Sequence, residues 1–492
     1  MIRRQTQLET DLDLDAVIAG EKRLSPREAL RLYYEAPLTE LGRWATARAE
    51  QIHGNTHRSY VIDRNINYTN VCSAKCTFCA FRRDGDEHDA YTLSRDELHK
   101  KVQELVDIGG TQILLQGGMN PALSLEWYEQ MLAGLKAAFP TVHIHGFSPP
   151  EFVEFVAVCE LEGFPSVPAG QGHKIPRDQW QAKLETILER LMEAGLDSIP
   201  GGGGEIFAEH VRRRIGMGKS SARDWLDVMS TGHRYGMHTS ATMMFGHIEG
   251  IADRIDHMKR VRDRQDEAIE NDYPGRYVSF ISWPFQRENT PLGRLPDWNP
   301  EGDEPFAADA LAERALDGLI DPEDKAACKQ FAPKAGKQLR TSGASDYLRT
   351  QAISRLFLDN IHSIGSSWVT MGPKIGQLGL YYGANDMGSV MMEENVVSAA
   401  GTTYCLTEPY LCYLIRDCGF TPAQRDNRYN FLKIHDGEDA PDRQVTDWST
   451  QREKALHKEG ASETGGDGDM TGMGDEGGTV PLTINTMSGK AQ

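Results

Sequence analysis

Apolar and polar positions alternate along this chain in two different periods, and the periods themselves alternate. From residue 60 onward, short apolar runs with β-branched residues recur: YVIDRNINYT, TQILLQG, VHIHGF, a brief one at LDSIP, HTSATMMF, YVSFISWPF, SSWVTMG and MGSVMM. Between most of them lie stretches with apolar residues every three to four positions, such as SRDELHKKVQELVDIG and PRDQWQAKLETILERLMEAG. The first kind predicts buried strands and the second amphipathic helices. Strand and helix taking turns over such a length predict parallel βα units, and eight of them predict an α/β fold of the TIM-type (β/α)8 barrel kind.

Residues 1–57 read differently. SPREALRLYYEA and LTELGRWATARAEQIHG are helical, and Ser25-Pro26-Arg27-Glu28 has the order of a helix start: a capping hydroxyl, a first-turn proline, then a glutamate. The barrel is expected over 58–432, with a Gly/Pro-rich insertion at about 160–176 and a longer one at 293–343. Residues 433–492 contain GASETGGDGDMTGMGDEGG and are expected to form a disordered acidic tail.

With 492 residues there is material for a large core. No run approaches the ~20 apolar residues of a membrane helix, and the N-terminus has no secretory h-region, so a cytoplasmic protein is expected. The net charge of −19 disfavours nucleic acid as a partner. Arginine outnumbers lysine 35 to 18 beside 72 acidic residues, a balance shared by salt-adapted surfaces and by ordinary acidic enzymes.

Three of the eight cysteines crowd one stretch, Cys72, Cys76 and Cys79, spaced CxxxCxxC directly after the first strand. Structural zinc takes four ligands, generally as two pairs, and no second pair follows. Three thiolates suit a [4Fe–4S] cluster with one iron left open. The loop sits at the C-terminal mouth of the barrel, where barrel active sites lie. Cys405, Cys412 and Cys418 also crowd together, but read as buried thiols on helices, with Cys405 and Cys412 on one helical face.

CxxxCxxC is the spacing of the radical S-adenosylmethionine enzymes. Nine further stretches, from YVIDRNINYTNVC through LLQGGMNP, HIHGFSPPE, GLDSIPGGGGEI, ATMMFGHIE, WPFQRENTPL, SWVTMGPKIGQL and GANDMGSVMMEENVVSAAG to GFTPAQRD, together resemble the cyclic dehypoxanthinyl futalosine synthase family over roughly residues 20–432. The resemblance implies a [4Fe–4S] cluster and S-adenosylmethionine as cofactors, and a futalosine route to menaquinone. The substrate it implies is dehypoxanthine futalosine, whose ribose loses hydrogen from carbon 4′ and closes a spiro ring onto its benzoate ring. An electron donor such as flavodoxin or ferredoxin is implied as partner. Aminofutalosine synthase and deazaflavin (FO) synthase are sister readings on the same scaffold.

The same resemblance supplies site residues. Phe78 matches the aromatic beside the adenine. Gln116, Gly117 and Gly118, ending the second strand, match the glycine-rich motif for the methionyl amino group. Ser148 and Glu151 are expected against the adenosyl ribose or substrate hydroxyls. Glu205, after the glycine run 201–204, and His247, at the end of the fifth strand, are the catalytic candidates, His247 as base. Lys374 is a candidate for the benzoate carboxylate, with Asp386 and Glu393 for substrate hydroxyls. Arg82 stands where the family pattern has an aromatic.

Overall fold

The computed structural model describes residues 2–302, 304–402 and 404–444. The capping box read from Ser25 and Glu28 is present and starts helix Pro26–Glu35. Helix Leu38–His53 follows and lays Leu41, Trp44 and Ala45 against helix Ala344–Phe357 on the outside of the barrel.

The first barrel strand comes in two halves, His57–Val61 and Asp63–Asn67. The second half pairs in parallel with Gln112–Gln116, which pairs with His143–Gly146. The predicted fourth strand shrinks to one bridge, His145 to Ser198, and the ring continues where Ser240 N–H donates to Ile199 O. Thr239–Phe245, Tyr277–Pro284, Ser363–Gly365 and Asp386–Ser389 complete it in parallel register, and the last returns to the first half-strand. All eight positions of the predicted barrel are therefore filled.

Two boundaries differ from the expectation. SSWVTMG is not the seventh strand: Ser363–Gly365 is, and Trp368–Met371 turns into a short helix ended by Gly372-Pro373. A four-residue apolar run carries too little periodicity to tell the two apart. The tail does not begin at 433 either. Phe431–Ile434 pairs antiparallel with Thr421–Arg425, and Pro441–Gln444 is helical. The expected tail from 445 to 492 lies outside the described residues.

Thr421–Arg425 also pairs in parallel with His57–Val61. Its continuation crosses beneath the barrel. Arg425 bonds Asp386 through Nε at 2.6 Å and Nη2 at 3.0 Å, and Asn427 Nδ2 donates to Ser198 Oγ at 3.1 Å. These groups form a floor at the N-terminal end of the strands. The 293–343 insertion folds into helices Ala307–Leu316 and Lys325–Phe331 around a small core of its own, Leu311, Cys328, Ala332 and Ala335. No described helix is long and apolar enough to cross a membrane. Cys405, Cys412 and Cys418 are buried as expected, although only Cys412 lies within helix Glu408–Asp417.

Candidate active site

The cysteine loop is built by backbone bonds to three parts of the chain. Cys72 N–H donates to Arg83 O, Ser73 N–H to Met119 O, and Thr77 N–H to Ile215 O. Lys75-Cys76 forms a two-residue ribbon with Gly216-Met217. Arg83 Nη1 donates to the carbonyls of Ala80, Phe81 and Arg82 and so closes the loop behind Cys79. Arg82 itself pairs with Asp84 at the surface.

All three cysteines are partly exposed as residues, and Met119 N–H points at Cys72 Sγ from 3.3 Å. Burial pushes the Cys76 thiol up to about 12; Lys219 opposes the shift, and the other two sulfurs add to it. A thiolate trio is thus costly here until a cationic centre takes it up. Among the described residues no three His, Cys, Asp or Glu side chains surround a single-ion site. Gly118 shows why glycine follows Gln116: a Cβ there would lie 2.1 Å from Val71 O and 3.0 Å from Cys72 Cβ. The glycine leaves backbone amides, not side chains, facing the loop. Three thiols without a fourth protein ligand, beside such a cradle, fit a [4Fe–4S] cluster with an open iron.

Phe78 lies under Lys219, whose Nζ stands 4.8 Å from the ring centroid and ion-pairs with Glu205. Glu205 is buried at positive φ, +43°, and its second oxygen has no partner among the described residues. It faces the cysteine loop with Lys219. The glycine run before it is packed against strand Thr239–Phe245: a Cβ on Gly201 would sit 2.7 Å from Ser240 O and one on Gly204 2.5 Å from Thr242 O.

Several expected site residues are otherwise engaged. Glu151 accepts from Tyr68 Oη, Gly117 N–H, Ser148 N–H and Ser148 Oγ at 2.5 to 3.1 Å. It caps helix Pro149–Val158 and fixes Gly117, so neither it nor Ser148 is free to read a sugar. Burial pushes its carboxyl up to about 7, against those donors. His247 is fully buried behind the barrel wall, with Nδ1 2.9 Å from Glu249 and Nε2 3.2 Å from Met244 O. It is a satisfied core histidine and not the base. Glu393 is spent on Arg64 at 2.7 Å and Lys101 at 2.9 Å, outside the ring. Asp386, one of the expected substrate residues, does line the barrel cavity, at its floor, where Arg425 and Ser59 hold it. Lys374 is exposed on helix Pro373–Gly379.

The barrel interior instead holds a cavity of about 300 Å³. It runs from Gln116, Gly202, Trp283 and Met391 near the cysteine loop down to Arg425 and Asn427 on the floor. Asp63, Asn65, His145, Ser366 and Thr370 line it, none of them expected beforehand. The three carboxylates on its wall are occupied: Asp63 by Ser389 and Gln112, Asp386 by Arg425, Glu394 by the amides of Val396, Val397 and Ser398. Burial, with His143 and Arg425 adding, holds the His145 imidazole well below its ordinary range, so it is neutral. His145 Nδ1 lies 2.6 Å from Ser198 Oγ, and Nε2 has only a long 3.5 Å contact to Ser240. The signal that was available is period two: Asp63, Asn65 and Asn67, then Gln112 and Gln116, are polar residues at alternate positions of buried strands.

Residues 66–261 match the Radical SAM superfamily, and residues 332–437 match the CofH/MqnC C-terminal region. The chain is 36% identical over 430 residues to a cyclic dehypoxanthine futalosine synthase from Halalkalibacterium halodurans, covering 87% of this chain and 97% of that one. A protein of the same name from Streptomyces coelicolor is 34% identical, over 86% of this chain and 89% of its own. A 5-amino-6-(D-ribitylamino)uracil–L-tyrosine 4-hydroxyphenyl transferase from Methanopyrus kandleri is 33% identical, over 85% and 93%. Among solved structures, methylornithine synthase (PylB) superposes with a TM-score of 0.53 at 15% identity, over 83% of this chain and 97% of that one.

Proposed function

The chain belongs to the radical SAM superfamily, in the family of cyclic dehypoxanthine futalosine synthase and its relatives, and from that premise we propose that it converts dehypoxanthine futalosine to the cyclic product in menaquinone synthesis. Enzymes of this superfamily use a [4Fe–4S] cluster and S-adenosylmethionine. When bound at Cys72, Cys76 and Cys79, that pair supplies a one-electron cleavage that yields a hydrogen-abstracting adenosyl radical.

The observation that carries the reading is the chamber. At about 300 Å³ it stands at the lower end of small-molecule sites, with room for one modest substrate. That suits a molecule whose own ribose and benzoate ring join. The uracil–tyrosine hydroxyphenyl transferases among the relatives join two separate substrates, whereas aminofutalosine synthase, which would use S-adenosylmethionine itself as co-substrate, is told apart by its product and not by volume. The wall does what an intramolecular closure needs. Trp283 and Met391 bound the chamber on the cysteine side, while Ser366 and Thr370, whose hydroxyls donate to Gly376 O and Ser367 O, leave only oxygen lone pairs toward it. The floor bonds of Arg425 and Asn427 keep water out, which holds the two reacting carbons in contact.

Closure removes one hydrogen atom, then one proton and one electron, so the product is two hydrogens lighter than the substrate. The electron returns to the cofactor side. In this reading neutral His145 orients the substrate through Nε2, which keeps its lone pair when Nδ1–H is given to Ser198 Oγ, and the proton leaves to solvent. Glu205 and Lys219 act on the cofactor side.

The test is anaerobic turnover of the reconstituted protein with reductant, S-adenosylmethionine and dehypoxanthine futalosine. The expected product is two hydrogens lighter, with one 5′-deoxyadenosine per turnover, and His145→Gln, by loosening the substrate's placement, slows it at least about tenfold without loss of the cluster's absorption. An adenosyl group retained in the product would move the chain to the aminofutalosine synthase reading. An untouched substrate beside cleaved S-adenosylmethionine would sink the assignment.

A further inference from the structure

The 293–343 insertion does more than decorate the barrel. Where helix Lys325–Phe331 meets helix Glu209–Ile215, a second cavity of about 190 Å³ opens, separate from the chamber. Its charged lining is all basic: His210, Arg213, Arg214, Lys325 and Lys329, with no carboxylate among the described lining residues. In a chain with 72 acidic and 53 basic residues such a concentration runs against composition.

The nearby carboxylates lie outside the lining and already have hydrogen-bond donors. Asp324 accepts the Ala326 and Ala327 amides, Asp321 accepts Glu323 N–H, and Asp253 takes Gly250 N–H and His210 Nε2. Arg213 spends its donors on the carbonyls of Pro322 and Glu323 and so ties the insertion to the helix. Arg214, Lys325 and Lys329 have no ion pair among the described residues. His210 adds a second, independent sign. It is 7% exposed, and its Nδ1 is buried without a partner among the described residues. A buried ring nitrogen left unmade is a cost that a ligand's hydroxyl would relieve.

We propose that this cavity is a binding site for a small phosphate or phosphomonoester, held by Arg214, Lys325 and Lys329 and hydrogen-bonded through a hydroxyl to His210 Nδ1. The chemistry of the lining specifies the class. Guanidinium and ammonium groups supply charge-assisted bonds to a dianion, and the apolar remainder, Ile248 and Leu311, accommodates a short carbon chain. A liquid water occupies about 30 Å³, so the space takes a phosphate and a few further heavy atoms.

The site also has a path to the cysteine loop. Arg214 O and Ile215 O accept from Thr77 Oγ and Thr77 N–H, and Gly216 pairs with Cys76. An occupant that draws Arg214 inward would bear on the segment carrying Cys76 and Cys79. The assignment stands whether or not the cyclase reading does, since no residue of the chamber takes part.

The experiment is calorimetric titration of the full-length reconstituted protein with inorganic phosphate and, separately, glycerol 3-phosphate, at constant ionic strength in chloride. Saturable one-site binding is expected for at least one probe. The double substitution Lys325→Gln/Lys329→Gln should weaken it at least about tenfold. Both lysines are exposed, so the unfolding midpoint without probe should stay put. His210→Phe, which fills the space without a ring nitrogen, should weaken glycerol 3-phosphate as well. Absence of saturable binding, or binding untouched by the lysine substitutions, would overturn the proposal. So would silent titrations together with charge-reversal at Lys325 and Lys329 abolishing association with an acidic electron-transfer protein, which would make the patch a protein-docking surface.

Discussion

Replacing Arg425 with methionine should break the barrel floor and separate two properties of this enzyme. The guanidinium makes two bonds to Asp386, at 2.6 and 3.0 Å, and lies 3.9 Å over the Tyr429 ring. Side-chain exposures of 7% and 1% mean that both charges are buried. Each charge-assisted bond is worth about 1.5–3 kcal/mol, and the ring contact adds about 1 kcal/mol. Methionine would leave Asp386 with Ser59 Oγ at 2.6 Å and Gly388 N–H at 2.8 Å but no counter-charge. A broken buried pair costs about 3–5 kcal/mol. Urea unfolding under anaerobic conditions, followed by tryptophan fluorescence, should show a loss of that size. The double substitution Arg425→Met/Asp386→Leu should recover half of it or more, because no orphan charge remains. In turnover the single variant should cleave S-adenosylmethionine while closing fewer substrate rings, since water enters from below. A loss under about 1 kcal/mol, or a double variant as unstable as the two single losses combined, would refute the account of the floor.

Two further outcomes follow from the geometry. Gly118→Ala should abolish most cluster incorporation, read from absorption and iron content, because the added carbon would meet Val71 O at 2.1 Å and force the cysteine loop to shift. Burial in the core, with His238, Arg276 and Arg264 adding, lowers His233 to about 3; the folded state therefore binds its proton later than the unfolded chain, whose histidines titrate near 6.5. Its contribution is complete above pH 6.5 and is lost as pH falls toward 3, about 1.4 kcal/mol per unit. Stability measured from pH 7 to 5 should fall more steeply in the wild type than in His233→Gln.

What the sequence disclosed depended on how local the determinants were. The Ser25 box acts within a few residues and is where it was expected, and the cysteine spacing and the glycines after Gln116, equally local, meet where Gly118 packs on Val71 and Cys72. Two of the expected substrate residues are saturated for one shared reason: their partners are remote in sequence. Glu393 is claimed by Arg64 and Lys101, and Asp386 by Arg425, so groups that look free in a string of letters are saturated in space. His247 stood at a strand end, the usual place for a catalytic group, but Glu249 two residues on turns it into the core. The chamber was hidden differently. Its polar residues sit inside strands whose apolar neighbours dominated the reading, and only their alternation marks the inward face.

The floor also sets a timetable. On the ribosome the cysteine loop and the strands it follows emerge early, yet Ser59 finds Asp386 only 327 residues later, and the segment carrying Arg425 comes later still. At 5–20 residues per second the first strand waits roughly 15–65 s with an edge unsatisfied. During that interval the nascent chain displays an open half-ring, the state most prone to pairing with a neighbouring strand. The closing strand therefore acts as a latch that arrives last, and nascent chains stalled before residue 421 should be the ones that chaperones hold.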